Sequence, residues 1–204
     1  MPAFHKFQSL NSVYCRMIRN ELQIHGSMFV LLKKFIENNY SDEMWFTLAK
    51  EAGIHQPSYD PHKSYDAEEM FSIIAEASKK TGISESDLKE KFGEYLVPDL
   101  MIAYGAYVNP EWKTFEVLEY TEHVMHKAVR KEESSANPPV LNISRVHDQL
   151  LIIDYYSKRK LGSLAVGIIN GIARFYNETD IVNVIPMSNP NDERVQIRVE
   201  FKKP

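Results

Sequence analysis

The sequence predicts an α+β fold: a helical N-terminal part joined to a C-terminal four-stranded antiparallel sheet with one crossing helix. Three observations predict it. Apolar residues recur at helical spacing, between recognisable caps and breakers, from the N-terminus to about Lys131. After SSANPPV the pattern changes to strict alternation in two pairs of segments. Between those pairs lies LGSLAVGIINGIARFYN, whose Leu, Val and Ile residues form one helical stripe.

Taken in order, Phe4, Phe7, Leu10, Tyr14, Met17 and Leu22 fit an amphipathic leading helix that HGS at 25–27 ends, so residues 1–24 are expected to be an extension and 25–204 the domain. SMFVLLKKFIENNY fits a second helix. DEMWFTLAKEA fits a third, with Ser41 as N-cap and Gly53 at its C-terminal end. IHQPSYDPHKSY, with two prolines, reads as a loop. Asp66 with Glu69 is placed to cap AEEMFSIIAEASKK, which Gly82 ends; Ser84 with Asp87 starts the next helix, which Pro98 is expected to interrupt. NPEW then opens a long helix to about Lys131, since proline suits the first helical position. VLNISRV, the turn residues HDQ and LLIIDYYSKR form one hairpin; DIVNVIP and RVQIRVEF, flanking SNPNDE, form the other.

At 204 residues, 44% hydrophobic and 25% charged, the chain is long enough to bury a sizeable core and enclose a ligand. A net charge of −4 with a pI near 6.0 argues against nucleic-acid binding, which needs a basic face. A single cysteine, Cys15, excludes an internal disulfide and a zinc site built on several cysteines, and fits a reducing, cytoplasmic setting. No apolar run approaches the roughly 20 residues that span a bilayer, so no membrane partner is expected.

Two stretches carry candidate chemistry. In TEHVMHKAVR, at about 100° per residue, Phe115, Leu118, Met125 and Val129 form an apolar stripe with His126 on its shoulder. His123 falls roughly 160° round from Met125, on the charged face with Glu119, Glu122 and Arg130. His126 can therefore present a ring nitrogen to an interior, and His123 cannot. A zinc site using both lacks further ligands at a usual spacing, and a metal hydrolase built on His123, His126 and nearby Glu122 finds no GxSxG, GxxxxGK[ST] or HExxH in the chain. A non-haem, lipid-binding use of the same interior is a third reading. In LLIIDYYSKR, continued as a strand, Tyr155, Ser157 and Arg159 share the face of Leu151 and Ile153 and spread over some 13 Å at about 3.3 Å per residue. A strand face that turns from aliphatic to a row of donors is either surfacing into solvent or meeting something buried and anionic.

VMHKAV, the proline pair of NPPVL and the alternating YYSKR, together with HGSMFVLLKKFIE, KSYDAEEMFSIIAEASKKTG and RVQIRVEFKKP, resemble the haem nitric oxide/oxygen-binding (H-NOX) domain, related to the haem domain of soluble guanylate cyclase. The resemblance spans all but the first two dozen residues. It implies haem b (iron protoporphyrin IX) buried between the helical part and the sheet, with His126 as proximal iron ligand. Tyr155, Ser157 and Arg159 would then hold the propionates, and Pro139 would press on the porphyrin. Neutral imidazole is a suitable axial ligand for ferrous haem, and a guanidinium fork with two hydroxyls suits two carboxylates. Oxygen-binding relatives carry a distal tyrosine on the helix after the YYSKR strand; here that position is Leu164, and Met28 and Leu32 are expected to complete an apolar distal wall. The resemblance thus implies a sensor of nitric oxide and carbon monoxide, with an oxygen-binding or redox-sensing haem protein as the alternative. Tyr95, Tyr104 and Tyr107 are the rival hydroxyls for that alternative. Because the chain ends shortly after RVQIRVEF, it is expected to act on a separate effector, by analogy a sensor histidine kinase and, less so, a cyclic-di-GMP enzyme.

Overall fold

The computed structural model describes residues 21–55, 57–132 and 136–202. The leading helix expected from Phe4 to Leu22 lies, up to residue 20, outside the described residues. The architecture is α+β, with seven α-helices among the described residues and a four-stranded antiparallel sheet. A short strand, β1 (Gln23–His25), leads into α1 (Gly26–Asn39) and pairs with β2 (Ser64–Asp66). The end of the stretch read as loop is therefore a strand, because its polar backbone finds partners on β1.

Between them runs α2 (Asp42–Glu51), capped by Ser41, whose Oγ accepts the Met44 N–H at 3.2 Å. Helix α3 (Ala67–Thr81) follows. Asp66 caps it by accepting from Glu68, while Glu69 is engaged instead by the Tyr59 hydroxyl; Gly82 closes the helix at φ 70°. Helix α4 (Glu85–Tyr104), capped by Ser84 on the Asp87 N–H, runs unbroken through Pro98. The missing N–H of Pro98 leaves the Glu94 carbonyl without its helical donor. Burial of Leu96 and Val97 on the same turn, at 0% and 1% exposure, outweighs that loss.

NPEW does not open a helix. A 3₁₀ turn at Gly105–Tyr107 and a coil precede α5 (Thr114–Tyr120), where Glu116 accepts the Lys113 N–H. The expected long helix is then broken again by a π-turn over Glu122–His126 before α6 (Lys127–Glu132).

The sheet is ordered β3 (Val140–His147), β4 (Leu150–Tyr156), β6 (Arg194–Phe201), β5 (Val182–Pro186), with α7 (Gly162–Phe175) between the hairpins in sequence. Its inner face alternates as expected. Leu151, Ile153 and Tyr155 on β4 pair in register with Val199, Ile197 and Val195 on β6, all at 3% exposure or less.

Helices α4 and α7 make the most extensive helix–helix contact of the described chain. They meet backbone to backbone through glycines: a Cβ on Gly167 would collide with the Glu90 carbonyl, and one on Gly93 with the Leu164 carbonyl. This close crossing places Leu96, Val97 and Leu100 of α4 beside Leu164, Ala165 and Ile168 of α7, as one wall of an internal space. Among the described residues no helix is long and apolar enough to cross a membrane.

Candidate functional site

A cavity of about 280 Å³ lies between α1, α4, α7, the π-turn and the inner face of the sheet. That is close to the lower end of the roughly 300–1,000 Å³ of small-molecule pockets. It is also many times the roughly 30 Å³ that one water occupies in the liquid. Its walls are aliphatic apart from a few polar groups, which include His25, His126, Tyr155 and Arg159.

His126 enters from the π-turn. Its backbone N–H donates to Thr121 O, five residues back, at 3.0 Å. Its Nδ1 lies 2.9 Å from Glu122 Oε2. The same carboxylate accepts the Leu141 N–H on Oε2 at 3.0 Å and Arg130 Nη1 on Oε1 at 2.8 Å. Burial opposes charge on Glu122, but His126, Arg130 and the Leu141 N–H outweigh it and hold the carboxyl down at about 2. Glu122 is thus an anion that only accepts. A ring nitrogen that meets it has to donate, so Nδ1 of His126 carries a proton, and Nε2 is the nitrogen left to a cavity-lining ring. His123 is exposed, as its place on the charged face predicts.

The YYSKR segment is not the continuous strand expected. Pairing stops at Tyr156 with Arg194, and Ser157–Lys160 form a turn closed by Lys160 N–H donating to Ser157 O at 3.1 Å, with Lys160 at φ 53°. The 13 Å row of donors therefore does not form; the turn folds Arg159 back over the cavity instead. Tyr155 keeps its place beside Leu151 and Ile153 on the inner face, and burial pushes its phenol up.

Arg159 is 8% exposed. Its Nη1 donates to Gln23 O at 2.9 Å, its Nη2 to Asn137 O at 2.5 Å and its Nε to Ser157 Oγ at 3.3 Å. Every one of these acceptors is neutral, and among the described residues no carboxylate pairs with it. Burial accordingly pushes its pKa down, against the influence of Tyr155. A buried guanidinium without a counter-charge is costly unless an anion arrives.

Of the residues expected at the site, His126, Tyr155, Arg159, Pro139, Met28 and Leu164 all line the cavity. Two do not. Leu32 is buried in the core at 1% exposure, one residue from the lining Leu31, and Ser157 turns its hydroxyl to the backbone and Nε of Arg159 rather than to the cavity. Two contributors are not among the residues expected to hold haem. Glu122 was placed on the charged face, although its position one turn before His126 was a signal for the contact. His25 lines the cavity with its Nδ1 2.8 Å from Ser27 Oγ.

The hydroxyls near the cavity are largely engaged. Thr121 Oγ1 donates to Val117 O, Ser27 Oγ meets His25, Tyr95 OH accepts from Asn38, and Tyr107 OH is held by Glu132. Tyr104 is the rival tyrosine that lines the cavity. Among the described residues no group of three or more His, Cys, Asp or Glu side chains is arranged to hold a metal ion, which leaves the hydrolase reading without a ligand set there.

The donor set fits haem: one imidazole held by a carboxylate through Nδ1 and one buried cation that meets neutral acceptors among the described residues, on the walls of a single apolar cavity. Comparison with known proteins agrees. The sequence profile of the Haem-NO-binding family matches residues 25–184. No curated protein sequence matches the chain. Among solved structures, an H-NOX protein from S. oneidensis in its Fe(II)NO state superposes with a TM-score of 0.78 at 18% identity, covering 88% of this chain and 100% of that one. Unliganded Fe(II) H-NOX from K. algicida gives 0.77 at 18%, covering 89% and 98%. A single-site variant of T. tengcongensis H-NOX gives 0.74 at 21%, covering 89% and 99%.

Proposed function

The chain belongs to the Haem-NO-binding family, and we propose that it is a gas sensor that binds haem b through His126 and responds to nitric oxide and carbon monoxide. One observation carries this reading: His126, held through Nδ1 by Glu122, and Arg159, a buried cation with no carboxylate partner among the described residues, wall the same apolar cavity. Ferrous haem, when bound, supplies the coordination position at which a diatomic gas binds.

The chain's own residues do the rest. His126 offers Nε2 as axial ligand while Glu122 fixes its tautomer and ring. Arg159 presents its guanidinium to a propionate, and the Tyr155 phenol adds a neutral donor. Ser157 acts through Arg159, since its Oγ accepts from that residue's N and Nε. Pro139 stands on the cavity wall two residues from Asn137, whose carbonyl holds the guanidinium, and so belongs to the loop that would press on a bound ring.

Selectivity rests on Met28 and Leu164, which offer no proton to the outer atom of bound oxygen, which gathers negative charge; the nearby Ser27 and Thr121 hydroxyls are already engaged, and Tyr104, which also lines the cavity, is the rival donor that the oxygen test addresses. Nitric oxide and carbon monoxide need no such donor. Gas binding that weakens the hold on His126 shifts a two-state equilibrium between the helical part and the sheet, read by a separate effector, for which we favour a sensor histidine kinase over a cyclic-di-GMP enzyme.

The test is the absorption spectrum of the purified ferrous protein. Nitric oxide and carbon monoxide are expected to shift its Soret band, and air to give no stable oxygen complex. A colourless protein that takes up no added haem refutes the sensor, and a stable oxygen complex refutes the selectivity.

A further inference from the structure

Glu122 gathers three elements on one side chain. Its Oε2 accepts both His126 Nδ1–H, at 2.9 Å, and the Leu141 N–H, at 3.0 Å; its Oε1 takes Arg130 Nη1 at 2.8 Å. Arg130 in turn donates through Nη2 to Pro139 O at 3.3 Å. The partners lie on the π-turn, on α6 and at the head of β3, an edge strand of the sheet. We propose that Glu122 is the positioning residue that orients His126 and transmits its displacement to β3 through the shared carboxylate oxygen.

This rests on the reading of His126 as the haem ligand and names how that ligand is joined to the sheet. The four-residue spacing puts Glu122 and His126 in direct contact, and the His126 N–H takes Thr121 as its backbone acceptor in the π-turn. A carboxylate on Nδ1 strengthens Nε2 as a donor to metal and fixes the plane of the ring. One oxygen bonded to two donors cannot follow His126 outward while keeping Leu141 in place. Leu141 is the register partner of Tyr155, so a shift at the imidazole reaches the strand pair that carries the other end of the site.

The experiment uses the haem-loaded ferrous protein as wild type, Glu122→Gln and Glu122→Ala, with circular dichroism as the check on folding. Two quantities are read: the iron–histidine stretching band by resonance Raman, and hydrogen exchange, by mass spectrometry, of the peptide containing Leu141. Glu122→Gln, which retains an acceptor without the charge, is expected to lower the stretching frequency. Glu122→Ala is expected to lower it further and to speed exchange of one amide in that peptide at least tenfold. A wild-type frequency in both variants, or exchange unchanged in Glu122→Ala, overturns the inference while leaving the haem reading intact. If Glu122→Ala does not fold, the frequency in Glu122→Gln decides alone. A wild-type protein that shows no iron–histidine band overturns the haem reading and this inference with it.

Discussion

Replacing Leu164 by tyrosine puts a hydroxyl on the one wall position where the account requires its absence. Leu164 is 5% exposed and faces the cavity from α7, one turn before Ile168 on the same wall. The larger side chain can extend into the cavity rather than into the α4 contact, so the packing penalty belongs near the lower end of the ~1–3 kcal/mol typical of overfilled cores. A hydroxyl donating to the partly anionic outer atom of bound oxygen is a hydrogen bond to a charged group, worth about 1.5–3 kcal/mol. At about 1.4 kcal/mol per factor of ten, that is roughly a 10- to 100-fold gain in oxygen affinity. Nitric oxide affinity, which depends little on such a donor, should change less than about threefold, a difference of under 1 kcal/mol. The assay is equilibrium oxygen binding by the reduced Leu164→Tyr protein, followed by absorption beside the wild type. If the variant keeps its haem and its nitric oxide response but binds oxygen no better, the absence of a distal donor is not what excludes oxygen.

Other expectations concern the frame around the site. Gly167→Ala drives a Cβ into the Glu90 carbonyl where α4 and α7 cross, and should cost about 1–3 kcal/mol or more, lowering Tm by roughly 2–12 °C; an unchanged melting curve by circular dichroism contradicts the close crossing. Burial pushes the Tyr59 phenol up, and its hydrogen bond to Glu69 adds to the shift. A raised folded-state pKa gives stability that is complete below the unfolded value of about 10 and is lost as pH rises above it. Urea titrations from pH 9 to 11.5 should therefore show a steeper loss in wild type than in Tyr59→Phe, and parallel slopes would refute the assignment.

Much of this was legible in the chain itself. Ser41, Asp66 and Ser84 cap the helices they announce, Gly82 closes one, and the change to alternation after SSANPPV marks the start of the sheet. His126 stood out from His123 because one helical face is apolar and the other charged, and the cavity takes His126. What failed were inferences in which local propensity met tertiary packing. Pro98 is carried by the buried turn around it, and NPEW closes a turn, with the Trp112 N–H donating to Asn109 O, although proline suits a helix start. The π-turn leaves no mark in residue pattern, whereas the contact of Glu122 with the imidazole was legible in their four-residue spacing. The end of β4 at Tyr156 was likewise hidden, because alternation continues through YYSKR while the partner strand β6 does not. Tyr155 and Arg159 still reach one cavity, by a strand and a turn rather than by a single strand face.

The account stands or falls on His126. The decisive measurement is the haem absorption of His126→Ala beside His123→Ala, each purified with and without imidazole. His126→Ala should lose its haem or retain it only with imidazole supplied, because the cavity imidazole that Glu122 orients is gone, while His123→Ala should match wild type. Haem retained without imidazole in His126→Ala, or lost in His123→Ala, contradicts the central claim.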